Sequence, residues 1–241
     1  MHAPDPRLIL ITLLVMLGVA AAVASSLARS YNFKRLLLLP DRTAKQTLQL
    51  LAWICIPLML GVWIRVRVPN FLAADLSLEA IALVALMLGT GPGLLAATAL
   101  SLPAVLHHEF FALPVGLAVA AIFGTYARFV GREDIWSFSP LIDLSLYRWM
   151  RGMMRRPHLD RQIFLLLLLM AVQGASSFFS HLYPHRYFEL YSGWWPVELA
   201  ICACAPVVVG IPLKIWNAVR LERKLEAVSY THLTLPTKRI V

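Results

Sequence analysis

Charged residues are scarce in this sequence. Of its 241 residues, 15% are charged and only 13 are Asp or Glu, whereas 59% are hydrophobic and the mean hydropathy is +0.71. Soluble domains carry about 25% charged residues, so this composition excludes a water-soluble fold. Polar and apolar residues hardly alternate, which argues against membrane-spanning strands. The sequence therefore predicts an all-α, polytopic helical membrane protein.

Cysteines and catalytic motifs are also sparse. The three cysteines, Cys55, Cys202 and Cys204, lie inside apolar runs, where we expect small buried side chains rather than disulfide or metal partners. The sequence contains no Walker-type phosphate loop, no His-Glu-x-x-His pair and no Ser-His-Asp arrangement that could assemble outside a bilayer. We therefore expect no catalysis within residues 1–227, no metal site and no cofactor in this chain.

The sequence is rich in positively charged residues and in long apolar runs. Lys and Arg number 22 and the net charge is +9, but the basic residues form short stretches between runs, as in membrane proteins rather than nucleic-acid-binding faces. Uncharged or nearly uncharged runs occupy residues 8–28, 46–64, 80–106, 110–127, 162–180 and 196–216. By the positive-inside rule, the basic loop after the first run is cytoplasmic and the C-terminus is cytoplasmic too. A cleaved signal peptide is the alternative for the first run, but Arg29 and Lys34 follow it like a stop-transfer flank.

The run at residues 80–106 leaves the number of spans open. Its 27 residues would form a helix of about 40 Å, longer than the hydrocarbon core of a bilayer. Gly89, Gly91, Pro92 and Gly93 interrupt its middle, so its halves form either two tilted spans or a re-entrant hairpin. The first alternative gives seven transmembrane helices and the second gives five.

Two further segments are interpreted from their composition. At about residues 129–161, apolar residues such as Leu146 and Trp149 recur at helical spacing opposite arginines. This pattern predicts a cytoplasmic amphipathic helix on the inner leaflet, with a solvated connector as the alternative. Residues 228–241 begin with VSYTHL, which looks like the translation of a sequencing adapter, and we interpret them as an artefact. We expect the natural protein to continue beyond Ala227.

Ionisable residues near the outer ends of the runs are the candidate ligand-binding residues. Such residues are costly at membrane depth and often functional, although those near a helix end can reach the interface. The residues predicted to line one extracytoplasmic pocket are Arg65, Arg67, Asp75, Glu79, His107, His108 and Glu198, with Glu109 and His181 beside them. His107, His108 and Glu109 have metal-ligand chemistry, but adjacent side chains on a helix diverge by about 100°. Interface anchoring is therefore the favoured role for these three.

Three segments carry a family resemblance. They are LARSYNFKRLL at residues 27–37, the Gly-rich turn LGTGPGL at residues 88–94, and the exit IPLKIWN at residues 211–217, which runs into RLERKLE. Together they resemble the five-transmembrane receptor module of LytS-type sensor histidine kinases. The resemblance implies that residues 1–217 form a sensor domain in the bacterial inner membrane, with the lipid bilayer as partner. It also implies that residues 218–227 begin a cytoplasmic signalling helix.

In that family, a Pro-His-Phe-Leu-Phe-Asn box and an ATP-binding domain follow the signalling helix. The Pro-His pairs at residues 157–158 and 184–185 continue as Leu-Asp and Arg-Tyr, so neither is the phosphoacceptor. Kinase activity, ATP, Mg and a response regulator as partner are therefore expected only from a kinase domain beyond this chain. Ala218, Leu221 and Leu225 have the 3-then-4 spacing of a coiled-coil seam, which predicts a homodimer, and a solvated helix start is the alternative. The alternatives are the same receptor module on a diguanylate cyclase, or a small membrane transporter.

Overall fold

The structure is a computed structural model that describes residues 6–39, 42–68, 71, 75–138 and 161–233. The regular structure within these residues is entirely helical. The helices are α1 (Pro6–Arg29), α2 (Tyr31–Leu38), α3 (Ala44–Arg67), α4 (Ser77–Leu88), α5 (Thr90–Leu106), α6 (Ala112–Phe129), α7 (Arg132–Trp136), α8 (Arg161–Leu182) and α9 (Trp195–Leu233). The all-α prediction is confirmed for the part of the chain that the structure describes.

Five of these helices, α1, α3, α6, α8 and α9, are long and apolar enough to span a membrane. Each one contains or nearly coincides with a predicted run. Between 28% and 56% of their most apolar windows is buried inside the protein, so apolar side chains face outward along much of their length, as they do in lipid. The chain is a multi-pass helical membrane protein.

Helices α4 and α5 form a hairpin from the run that left the number of spans open. Gly89 separates them with φ of +94°, a conformation that glycine adopts without strain. Asp75 before α4 and Glu109 after α5 both bind Arg65, so both ends of the hairpin lie at one end of the bundle, here called the Arg65 end. With 12 residues, α4 is about 18 Å long, too short to cross about 30 Å of hydrocarbon. Among the described residues, the structure therefore has five helices long enough to span a membrane and a hairpin of two shorter apolar helices.

Helix α4 lies in the centre of the bundle. Residues 78–86 are all buried, and α4 packs on α3, α5, α6 and α9. Helix α6 approaches the hairpin through Gly116, Ala120 and Gly124, whose spacing of four is typical of closely packed membrane helices. A Cβ added at Gly124 would lie 2.6 Å from the Cα of Thr90. The backbones of α5 and α6 are therefore in direct contact beside the hairpin turn.

At the opposite end, α9 packs against α1. The indole Nε1 of Trp216 donates a 3.1 Å hydrogen bond to the carbonyl oxygen of Ala24. One turn further along α9, Arg220 forms a bidentate ion pair with Glu133 of α7. The predicted signalling helix at residues 218–227 thus continues α9, and this end of the bundle is called the Arg220 end.

Helix α2 was not predicted, because eight residues inside a basic loop are too few for a clear apolar period. The backbone groups at both of its ends nevertheless have hydrogen-bond partners. The Oγ of Ser30 accepts from the N–H of Phe33, and Arg42 donates to the carbonyl oxygens of Leu36 and Leu37 at 2.9 and 2.6 Å. These bonds occupy backbone groups that a helix leaves free at its termini.

The predicted amphipathic connector at about residues 129–161 lies mostly outside the described residues. Its described part contains the end of α6, the short helix α7 and the first residue of α8. Tyr126 donates a 2.7 Å hydrogen bond to the carbonyl oxygen of Arg161, and the guanidinium of Arg161 pairs with Asp134 at 2.8 Å. Helices α6, α7 and α8 therefore meet at the Arg220 end. The three cysteines are free thiols; Cys55 and Cys204 are buried and Cys202 is half-buried.

Candidate polar site at the Arg65 end

Arg65, in the last turn of α3, is the centre of a buried polar site. Its side chain is 6% exposed. The Nε atom donates to Oδ2 of Asp75 at 2.9 Å, and the two Nη atoms donate to the two carboxylate oxygens of Glu109. The ring of Phe188 covers the guanidinium, with 4.5 Å between Cζ and the ring centroid. One cation therefore holds together α3, both ends of the hairpin and the loop before α9.

The turn after α5 brings Glu109 to Arg65. His108 has φ of +72°, the left-handed conformation in which many helices end. Its N–H bonds the carbonyl oxygen of Val105 at 3.1 Å, and the N–H of Glu109 bonds that of Ala104 at 3.0 Å. This pair of bonds is a Schellman motif. A local backbone turn thus sets the direction of the Glu109 side chain.

Replacing His108 with glycine should raise the free energy of unfolding by about 0.5–1 kcal/mol, because glycine adopts positive φ without the Cβ clash. Thermal unfolding of the purified protein in detergent measures the change. The control is His108→Ala, which removes the ring but keeps the Cβ, and should bring no gain. A lower stability of the glycine variant would show that the ring contact of His108 with Phe110, at 5.9 Å between centroids, outweighs backbone strain.

A small cavity lies beside the ion pair. Asp75, Glu79 and Glu189 line it, and its volume is about 10 Å³, room for about one water molecule. Together with Arg65 and Glu109 these three residues are called the Arg65 cluster. Full ionisation would give the cluster a net charge of +1 − 4 = −3 in surroundings with little water. Such an excess favours protonation of a carboxyl group or binding of a cationic or proton-donating ligand.

Helix α8 presents a polar stripe to the loop that carries Glu189. Gln173, Ser176, Ser177 and Ser180 are all buried. The Nε2 of Gln173 donates to Oε1 of Glu189 at 3.3 Å, and the Oγ of Ser180 accepts from the N–H of Glu189 at 2.9 Å. Within the described residues, the Oε1 of Gln173 and the Oγ of Ser177 are buried without a hydrogen-bond partner. The sequence analysis missed this stripe, although its spacing of three and four residues is visible in the run at 162–180.

Burial, followed by the negative charge of Asp75, raises the pKa of Glu189 from 4.5 to about 7. The bonds from Gln173 and the backbone, and the charge of Arg65, act weakly in the opposite direction. Glu189 lies in the loop between α8 and α9, outside the spanning helices. Its carboxyl group is therefore positioned to titrate near neutral pH.

We expect the protein to lose stability between about pH 5 and pH 8. In that window, Glu189 is ionised in the unfolded chain but still partly protonated in the folded protein, so the free energy of unfolding falls as the pH rises through about 7. The expected loss is about 1–2 kcal/mol, because the side chain keeps some contact with water. Thermal unfolding of Glu189→Gln as a function of pH should show a flatter profile, whereas Glu222→Gln, an exposed residue of α9, should keep the wild-type slope. An unchanged slope in Glu189→Gln would contradict this assignment.

Three of the seven predicted ligand-binding residues come together in the Arg65 cluster. They are Arg65, Asp75 and Glu79, joined by Glu109, which was placed beside them. The sequence analysis did not include Glu189 among the candidates. Ligand binding by these residues stays a prediction.

The other predicted residues lie apart from this cluster and contact other groups. Arg67 lies over the ring of Trp63 at 4.8 Å, and His107 contacts the same ring edge-on at 5.8 Å. Glu198 accepts the N–H of Ser192 at 3.1 Å. The remaining two contacts are those of His108 with Phe110 and of His181 with Tyr191. The predicted single pocket therefore divides into a buried cluster and a set of peripheral contacts.

The function of the Arg65 cluster is interpreted from the chemistry of its side chains. Among the described residues, no three His, Cys, Asp or Glu side chains are arranged to hold one metal ion. No family model, curated protein or solved structure matches the chain. The site combines a buried guanidinium, surplus carboxyl groups and unpartnered amide and hydroxyl oxygens, which suits exchange of a proton or of a small polar ligand.

Proposed function

We propose that the chain is the membrane sensor region of a LytS-like two-component sensor histidine kinase in the bacterial inner membrane. It senses an extracytoplasmic or membrane signal at the Arg65 cluster and relays it through α9 to a kinase domain outside this chain. The continuity of α9 carries this proposal. The helix starts beside the loop that contains Glu189, where Glu198 accepts a hydrogen bond from the N–H of Ser192. It then continues past Trp216 to Arg220, which forms an ion pair with Glu133.

Helix α9 also has the means to move. Pro206 and Pro212 each remove a backbone hydrogen bond inside it and give it places to bend. A narrow apolar cavity of about 30 Å³ lies between α1, α3, α4 and α9, and Glu79, Pro212 and Trp216 are among its lining residues. A change of charge at Glu79 would therefore act directly on the packing of α9. Shifts of one or two ångströms of this kind are a common output of sensory helices.

The coding sequence past the codon for Ala227 tests the proposed output. A Pro-His-Phe-Leu-Phe-Asn box followed by an ATP-binding module is the expected result. A cyclase domain would leave only the receptor half of the proposal, and a stop codon soon after Ala227 would overturn it. ATP, Mg and a response regulator belong to this further region, and a homodimer would bring two copies of it together.

Autophosphorylation of the full-length protein in membrane vesicles tests the proposed input. Extracellular metabolites are screened for a change in the phosphorylation rate and for protection of Glu79 from carboxyl-modifying reagents. Glu189→Gln should shift the rate or its pH dependence, whereas Arg67→Gln, outside the cluster, should leave both unchanged. Equal behaviour of the two variants, or no response to any added compound, would contradict a sensory role of the cluster.

A small transporter is the second candidate, because the structure contains a short apolar hairpin with a buried acidic residue. Glu79 is 7% exposed and lines cavities on both of its sides. Re-entrant and broken helices of this kind line ion and substrate paths in transporters. Purified chain in liposomes with an internal pH dye distinguishes the two functions. Proton flux that Glu79→Gln abolishes would support transport, and absence of flux would support the sensor.

A further inference from the structure

A wide groove lies on the side of the bundle between α1, α2 and the first half of α3, away from the Arg65 cluster. Its volume is about 800 Å³, within the range of small-molecule sites. It lies towards the Arg220 end, because it begins at the C-terminus of α1 and the N-terminus of α3. The sensory or transport function proposed above gives this groove no role.

The groove changes from polar to apolar along its length. Arg35, Gln46 and Gln49 line the part next to the end of the bundle. Two to three turns further along α3, Trp53 and Ile56 line it, 40% and 63% exposed. From Gln46 to Ile56 the rise along the helix is about 15 Å. This distance matches the passage from the headgroup region into the hydrocarbon of a bilayer.

The segment that forms the groove is mostly basic. Residues 24–57 contain five basic residues and a single acidic one. Arg42 is engaged with the carbonyl oxygens at the end of α2, whereas Arg35 is exposed and lines the groove directly. The arrangement of one guanidinium among side-chain amides suits a phosphate group.

The apolar part has a proline in its wall. Pro57 lines the groove, and it offers no N–H to the carbonyl oxygen of Trp53, four residues earlier in α3. An acceptor is thereby left at membrane depth for a hydroxyl group or a water molecule.

We propose that this groove binds one anionic phospholipid of the adjacent leaflet. The phosphate pairs with Arg35 between the amides of Gln46 and Gln49, and an acyl chain lies along Trp53 and Ile56. Lipid contacts every outer surface of a membrane protein. This surface differs because it is concave, has Arg35 at its polar part and continues into an apolar part. Anionic headgroups in basic recesses between membrane helices are held by the same forces.

Lipid retention measures the proposed binding. The chain is reconstituted in vesicles of equal parts dioleoyl phosphatidylglycerol and dioleoyl phosphatidylcholine, extracted in mild detergent, and its bound lipids are counted by native mass spectrometry. Phosphatidylglycerol should be enriched over phosphatidylcholine. Arg35→Gln should reduce the enrichment about fivefold, and Gln49→Glu should reverse it by placing a carboxylate at the phosphate. Arg29→Gln, an exposed arginine at the same end but outside the groove, is the matched control and should change it less than twofold.

Three results would overturn the proposal. Equal losses in Arg35→Gln and Arg29→Gln would show general attraction by a basic surface. Displacement of the lipid by millimolar glycerol phosphate would show a site for a soluble anion. Ala52→Trp fills the groove and should remove the retained lipid without changing the oligomeric state; a change in oligomeric state with the lipid retained would make the groove an interface between two copies.

Discussion

Replacing Arg65 with glutamine should destabilise the protein by about 3–5 kcal/mol, the usual consequence of removing one partner of a buried ion pair. Asp75 and Glu109 would lose their counter-ion while remaining 11% and 18% exposed. Both ends of the α4–α5 hairpin depend on these two carboxylates. We therefore expect loss of the folded protein in detergent at temperatures that the wild type tolerates, measured by thermal unfolding and by the monodisperse fraction in size exclusion.

Two comparisons separate the charge effect from loss of packing. Arg67→Gln, two residues further on, removes an exposed arginine that stacks on Trp63 and should cost less than about 0.5 kcal/mol. The triple variant Arg65→Met, Asp75→Asn, Glu109→Gln removes all three charges together and should recover much of the stability, because Asp75 and Glu109 are no longer left as carboxylates without their counter-ion. If the triple variant is as unstable as Arg65→Gln, packing of the guanidinium rather than its charge holds the hairpin.

The spans of this protein could be predicted because their signal is local. A run of about twenty apolar residues must be a helix in lipid, where every backbone group needs an internal partner. The predicted runs at 8–28, 46–64, 110–127 and 162–180 accordingly lie inside or within two residues of α1, α3, α6 and α8. The last run, at 196–216, lies inside α9, which continues through the segment predicted as a signalling helix and is tied there by the pair of Arg220 with Glu133.

The partners inside the candidate site could be predicted only in part. Arg65, Asp75 and Glu79 were found because charge at a span end is visible in the sequence. Glu189 was passed over because it lies in a loop, where a carboxylate ordinarily faces water. What makes it part of the cluster is its burial against Gln173 of α8, a contact between distant parts of the chain that no sequence period records.

The topology of the hairpin could also be predicted only in part. The glycines at 89–93 predicted a break, but both five and seven spans were compatible with it. The 12 residues of α4 are few for a full crossing and favour five spans, whereas the binding of Arg65 to residues on both sides of the hairpin is compatible with either number. Long-range ion pairs and backbone contacts fix the position of the hairpin in the bundle, which hydropathy alone does not show.

Replacing Gly124 with alanine should destabilise the protein by about 2–3 kcal/mol, at the upper part of the range for overpacking. The new Cβ would lie 2.6 Å from the Cα and 2.9 Å from the backbone nitrogen of Thr90. A backbone cannot move aside as a flexible side chain can, so α6 must separate from the hairpin turn. Thermal unfolding in detergent measures the loss, and a larger residue such as leucine should increase it.

Gly91→Ala provides the control, because Gly91 is also a helical glycine beside the turn but has open space around its Cβ position. Alanine there should be neutral or stabilise the helix by up to about 1 kcal/mol. The difference between the two variants separates the contact of α6 with the hairpin from the general effect of replacing a helical glycine by alanine. If Gly124→Ala is as stable as Gly91→Ala, the small-residue stripe of α6 is not what fixes the hairpin, and the ion pairs of Arg65 must hold it alone.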